Sequence, residues 1–189
     1  MKQNPKFLLF ILALAFSILA CSIFVGGPEY PAQIVPASTE EAQTMREQIE
    51  QAFLSGAETG IVTLQITESQ LTSYMADKLA QQTNPPFTDP QILLRNGQMQ
   101  MYGKITRGWL TANMLITMNV TVDEATGQPK IEIASAEFGP IPAPEGLNSA
   151  VSAIIDEAFT GSFGPAAVGF RLETITIADG IMTLTGRIK

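Results

Sequence analysis

Three sets of residues in this sequence could carry chemistry: a single cysteine, a few adjacent acid pairs and a set of patterned methionines. Cys21 closes Ile18-Leu19-Ala20-Cys21, the spacing of a lipobox, in which the thiol is lipidated and the cysteine becomes the mature N-terminus. Leu19 stands where a small residue is more usual, and Ile23, Phe24 and Val25 stay apolar where lipoproteins turn polar. The acid pairs are Glu40-Glu41, Asp123-Glu124 and Asp156-Glu157. Acid/base catalysis needs converging carboxylates, and these pairs read instead as a helix start, a turn and the outward face of a helix. Met75, Met99, Met101, Met114, Met118 and Met182 all fall on the apolar side of an expected helix or strand. Flexible thioethers suit a groove that accepts apolar ligands of varied shape, and they also fill irregular cores.

Counting removes much other chemistry. With no histidine and one cysteine in 189 residues, the chain has no Ser-His-Asp or Cys-His triad, no His-ligated zinc and no disulfide framework. A net charge of −7 speaks against nucleic acid, whose phosphates call for clustered Lys and Arg. No P-loop, EF-hand or dinucleotide fingerprint is present, and no cofactor is expected.

The N-terminus gives location. Lys2 and Lys6 precede an unbroken uncharged run from Phe7 to Val25. As a helix this run spans roughly 28 Å, close to the hydrocarbon thickness of a bilayer. Residues 1–25 therefore read as a membrane anchor, retained as a helix with its basic flank in the cytoplasm, as a lipoprotein signal ending at Cys21, or as a cleaved export signal. All three place the remainder outside the cytoplasm, at the cell membrane. Without Lys2 and Lys6 that remainder holds nine basic and eighteen acidic residues.

Elements follow from periodicity. Residues 26–37 hold three prolines and two glycines and read as a semi-extended linker to a domain over 38–189. Ser38-Thr39-Glu40-Glu41 is a capping box opening a helix, with Gly56 as its expected stop. A strand over 61–66 leads to Thr67-Glu68-Ser69-Gln70, a second capping box, whose helix presents Leu71, Tyr74, Met75 and Leu79 and ends before Pro85-Pro86. Asn96-Gly97 predicts a type I′ hairpin between 91–95 and 98–105. From Trp109 to Val122 every even position is apolar, which predicts one half-buried strand long enough to curve or carry a bulge. A strand over 130–138, a proline-rich crossing, a helix over 147–159 with Val151 and Ile154 on its apolar stripe, and a hairpin of 170–177 with 181–188 around Asp179-Gly180 complete the chain.

The two hairpins match at one constant offset, which takes Ile92 to Ile175, Gly97 to Gly180, Met99 to Met182 and Gly103 to Gly186. Two helix-then-hairpin copies are too few for a solenoid and favour one curved antiparallel sheet on two or three amphipathic helices, an α+β fold behind the N-terminal anchor helix.

The ordering resembles two groups of exported bacterial proteins, the YpmS-like and LmeA-like families. The resemblance rests on ITESQLTSYMADKL, QILLRNGQMQMYGKI, FGPIPAP and ITIADGIMTLTGRI, and covers roughly residues 60–189. It implies a membrane-anchored envelope domain with a lipid-cradling, tubular-lipid-binding-like sheet, and it transfers no catalytic residue. The expected function is non-enzymatic binding of a phospholipid or acyl chain. The expected groove is Leu71, Tyr74, Met75, Met99, Met101, Met114, Ile116, Met118, Val151, Ile154 and Met182, with Cys21 the lipidation candidate. The alternative is an envelope protein-protein interaction or scaffold module with a closed core.

Overall fold

The computed structural model describes residues 22–143, 146, 147, 149, 151, 153 and 170–188. Eight strands and two long helices are defined there: β1 (Ile23–Phe24), α1 (Thr39–Thr59), β2 (Ile61–Thr67), α2 (Glu68–Ala80), β3 (Thr88–Arg95), β4 (Gln98–Arg107), β5 (Leu110–Asp123), β6 (Gln128–Glu137), β7 (Phe170–Ala178) and β8 (Ile181–Ile188). Leu147, Ser149, Val151 and Ala153 are helical, and the rest of the helix expected over 147–159 lies outside the described residues, as does most of the segment expected as an anchor. The class is α+β.

The strands form two hydrogen-bonded sheets where the sequence suggested one. The first is ordered β1-β5-β4-β3, with β6 also on β5, and the second is β2-β8-β7. The reason lies in who pairs with β8. It takes β2 from far upstream as its antiparallel neighbour, from Ile61↔Arg187 to Thr67↔Ile181, and so closes a unit of its own. Both sheets share one apolar core. β5, fourteen residues long, is longer than one partner covers, so β1 lies along its start and β6 along its remainder. The irregularity expected in β5 falls on its partner: between the Thr117 and Met118 pairs the register moves from Ser135 to Ile133, leaving Ala134 over on β6.

Ser38 caps α1 by accepting from the Glu41 N–H. Gly56 does not stop that helix. It is buried in the last turns, where a Cβ would collide with Val62 of β2, so it lets helix and strand approach. The stop is Gly60, in the left-handed region at φ 77°, its N–H on the Gly56 carbonyl. The Thr67–Gln70 capping box is complete in both directions. α1 packs on β2 and α2, and α2 packs on β3.

The hairpins agree position for position at the offset seen in the sequence. Asn96 and Gly97 have φ 54° and 75°, Asp179 and Gly180 φ 52° and 76°, the pair of positive values a type I′ turn requires. Register shifts fall at matching places, between Thr88 and Gln91 in β3 and between Leu172 and Thr174 in β7. A Cβ on Gly103 would meet the Phe87 ring, and one on Gly186 the Phe170 ring, the same pair one repeat later. The third strands are also equivalent: Met99 and Gly103 face Met118 and Met114 on β5, while Met182 and Gly186 face Ile66 and Val62 on β2.

Candidate functional site

The groove residues expected from the sequence do come together, and they come together as core. Leu71, Tyr74, Met75, Met99, Met101, Met114, Ile116, Met118, Val151 and Met182 all lie in one buried cluster, with Met101, Met114, Ile116, Met118 and Met182 at 0% exposure. Ile154 and Cys21 lie outside the described residues. The alternation that put the methionines on one face of each strand is the same alternation that faces them toward one another, so sequence could not tell a lined groove from a filled one. None of these residues borders the clefts described next.

Two clefts lie beside the segment read as a linker. Residues 26–37 run over the folded part as a strap, held along its length. The Gly26 and Pro28 carbonyls accept from the Asn113 backbone N–H (2.9 Å) and side-chain amide (3.0 Å). Val35 exchanges two bonds with the Gln91 side-chain amide, at 2.6 and 3.1 Å. Ser69 Oγ donates to the Pro36 carbonyl at 3.2 Å, and the Ser38 N–H donates to Ser73 Oγ at 3.0 Å. Among the described residues the buried polar side chains are Gln70, Thr72, Ser73, Gln91 and Asn113, and three of these five grip the strap or its junction with α1. Burying a polar group is costly unless it is bonded, so these residue types at buried positions mark the strap as a built part of the fold.

Mid-strap, the Tyr30 hydroxyl donates to the Asp89 carbonyl. Its ring meets Tyr102 edge-on at 6.0 Å, and the Lys104 ammonium lies 5.8 Å from its centre. Lys104 also pairs with the Asp89 carboxylate at 2.8 Å. Burial, and then the negative Asp89, push the Tyr30 hydroxyl up to about 12. Burial, and then Glu137, raise Tyr102 in the same direction. Asp89 has φ 50°, an uncommon value for a residue with a side chain, at the point where β3 changes register before Pro90.

On one side of the strap is a cleft of about 510 Å³ with Ile34, Ala76, Leu79, Pro85 and Phe87 around it and Tyr30, Asp89 and Lys104 at its polar edge. On the other is one of about 610 Å³, bordered by Pro31–Pro36, Glu68, Arg95, Tyr102 and the Asp179-Gly180 turn. Ile34 faces both and is 65% exposed. The first cleft has the size and composition of a small-ligand site, apolar with a few polar groups. No sequence signal announces it, because its walls come from the strap, the end of α2 and the bulge of β3, which no periodicity connects.

Glu68 has a second role that the capping pattern concealed. Its carboxylate accepts from the Leu94 N–H at 2.6 Å and pairs with Arg95, while its own N–H donates to the Gly180 carbonyl. The helix start thus ties the two hairpin turns together, giving the Thr67-Glu68-x-x-Leu71 pattern a structural use in each residue. Of the acid pairs, Glu40 and Glu41 sit in the first turn of α1. Asp123 turns the chain, its carboxylate accepting from the Ala125 and Thr126 N–H groups, which lowers its pKa. Asp156-Glu157 lies outside the described residues. Among the described residues no three His, Cys, Asp or Glu side chains are grouped to hold a metal ion, and no helix is long and apolar enough to cross a membrane. No protein-family model matches the chain, and no curated protein does.

Proposed function

We propose that this chain is a non-catalytic, membrane-anchored domain outside the cytoplasm that acts through its surface, with the methionine-rich interior as a closed core. The observation that carries this reading is the complete burial of Met101, Met114, Met118 and Met182 within one cluster. A side chain with no exposure offers no surface to a ligand until neighbours move. An envelope partner is then met by the exterior, as the YpmS-like and LmeA-like resemblance allows.

β1 bears on the anchor. Ile23 and Phe24 are strand residues of the domain and Val25 packs against its core, so the uncharged run left for the bilayer is Phe7–Ser22. Sixteen residues would span about 24 Å as a helix, short of the roughly 30 Å a crossing needs. The shortness of the run favours a lipid on Cys21 over a retained helix. Loss of fatty-acid labelling on Cys21→Ser, with the labelled mass otherwise present, is the expected result.

The surface reading is tested by Met114→Glu in the full chain. A closed core predicts loss of the cooperative fold, because an unpaired charge buried among apolar side chains costs several kcal/mol; a folded variant that merely loses a bound lipid would overturn it. A second reading, an acyl chain in the strap cleft, is favoured by the 510 Å³ beside Ile34, Leu79 and Phe87. Native mass spectrometry of the full chain from detergent separates the two: the closed-core reading expects the bare mass, whereas a retained single lipid, lost on filling the cleft with Ala76→Trp, would establish the other.

A further inference from the structure

Scattered apolar side chains on a surface need no explanation, but a cluster of large ones beside a chain bound for a bilayer does. Ile23, Phe24 and Trp109 are 50%, 59% and 63% exposed, and the backbone brings them to one end of the five-stranded sheet. The Ile23 N–H donates to the Trp109 carbonyl at 2.7 Å, and Ile23 and Phe24 stand in register with Leu110 and Thr111. Arg107 and Gly108 complete the β4–β5 turn there, both exposed. β1 runs parallel to β5, which starts at this turn. The chain before Ile23 therefore leads away from the same end, and that chain is the uncharged run Phe7–Ser22.

Charge points the same way. The chain as a whole is acidic, yet between Asp89 and Asp123 it contains Arg95, Lys104 and Arg107 and no acid at all. Of these three, Arg107 lies at the end where the anchor emerges, whereas Arg95 at the far turn pairs with Glu68 and Lys104 pairs with Asp89.

We propose that the β4–β5 turn and β1 form a membrane-docking edge, with Trp109, Phe24 and Ile23 in the boundary between headgroups and acyl chains and Arg107 among the lipid phosphates. Indole, apolar over most of its ring and with one N–H donor, suits that boundary, and a guanidinium there makes charge-assisted bonds to phosphate. The domain then stands with this end of its five-stranded sheet on the bilayer, attached at two adjacent points, so that the second contact is made at high effective concentration. The inference rests on the membrane-anchored reading and holds for an anchor of either kind, helix or lipid.

Trp109 is the single tryptophan of the chain, so its fluorescence reports on this turn alone. The full chain is reconstituted in nanodiscs of phosphatidylcholine and phosphatidylglycerol, and Trp109 is exposed separately to acrylamide and to lipids brominated near the headgroup. Blue-shifted emission, quenching by the brominated lipid and several-fold weaker acrylamide quenching than for free indole are expected. In Trp109→Phe/Phe24→Trp the reporter on β1 should behave alike, whereas in Trp109→Phe/Leu54→Trp, on α1, it should be open to acrylamide and untouched by bromine. A chain that resists alkaline carbonate but leaves Trp109 open to acrylamide would overturn the docking edge with the anchored reading intact. Protection from acrylamide without bromine quenching would mean that protein covers the turn, and would overturn it too, as would equal bromine quenching on α1 and at the turn. A chain that washes off the bilayer in carbonate would remove the anchored reading and the docking edge with it.

Discussion

The hairpins β3–β4 and β7–β8 share turn, bulge, glycine–phenylalanine contact and inward methionine, and both turns meet Glu68, yet each takes its third strand from a different part of the chain. β4 receives the strand that follows it, β5, through a turn at Gly108. β8 receives β2, which lies far upstream in the chain. Local sequence repeats local structure because a type I′ turn and an alternating pattern fix register within the hairpin. The third strand is chosen by whichever apolar face the rest of the chain supplies. β5 outgrows its hairpin at its far end, where β6 covers it, and carries the exposed turn and the Asn113 strap contacts at its start, while β2 is consumed in pairing with β8 and opens directly into α2.

The methionine pair Met99 and Met182 gives the strongest way to break this equivalence. Both are buried, so each truncation to alanine should cost about 2–5 kcal/mol by leaving a cavity. Chemical denaturation should find the two costs within about 1 kcal/mol of each other if the units are energetically as well as geometrically equivalent. A wide gap would show that one third strand adapts better than the other.

The glycines sharpen the comparison, because here the hairpins differ in detail. A Cβ on Gly186 would come within 2.5 Å of the Arg171 carbonyl as well as the Phe170 ring, whereas one on Gly103 would come 2.6 Å from the Phe87 ring and 3.2 Å from the Thr88 carbonyl. A ring edge yields more readily than a paired backbone. Gly186→Ala should therefore cost about 2–3 kcal/mol and Gly103→Ala about 1–2 kcal/mol, measured as a difference in thermal or denaturant midpoints.

Glu68→Ala should cut one hairpin's tie to α2 and leave the other's. The Leu94 N–H and the Arg95 guanidinium lose their acceptor, at a cost of about 1–2 kcal/mol, while the Glu68 N–H still reaches the Gly180 carbonyl. Amide exchange should accelerate at Leu94 and stay unchanged across Asp179 and Gly180. Equal acceleration in both turns would mean that the helix start locks them as one unit.

The smallest effect belongs to the strap, on the first hairpin alone. Because the Tyr30 hydroxyl is pushed up to about 12, the folded chain keeps this proton after the unfolded chain has lost it. Stability from this source is intact below about pH 10, the ordinary tyrosine value, and falls as pH rises from there toward 12. Tyr30→Phe should remove one late tyrosine transition from an ultraviolet titration and flatten that part of the stability profile. A titration left unchanged by the substitution would place the raised group elsewhere.

How much of this was legible follows from the range of the interactions. Ser38 and Thr67 as caps, Asn96-Gly97 and Asp179-Gly180 as turns, and the even-numbered apolar face of β5 are all short-range properties, since capping and turn geometry are decided within four residues and alternation within two. Gly56 misled because a glycine near a helix end fits both a stop and a close approach, and only the position of Val62 separates them. Glu68 read as a helix-start acid because its second partner, Leu94, belongs to a strand beyond the far end of that helix.

The sequence by itself determined the elements, their turns, the inward methionines and the kinship of the two hairpins, because each depends on side chains in local reach. Only the tertiary structure decided that the methionines are buried together in one cluster, that residues 26–37 are strapped down by Asn113, Gln91 and Ser73, that β2 rather than a neighbour completes the second sheet, and that Trp109 and Phe24 share one end of the other. Those outcomes depend on which of several compatible apolar faces and unpaired backbone groups find each other across the whole chain, and that competition is settled by burial and hydrogen-bond satisfaction together rather than by any local pattern.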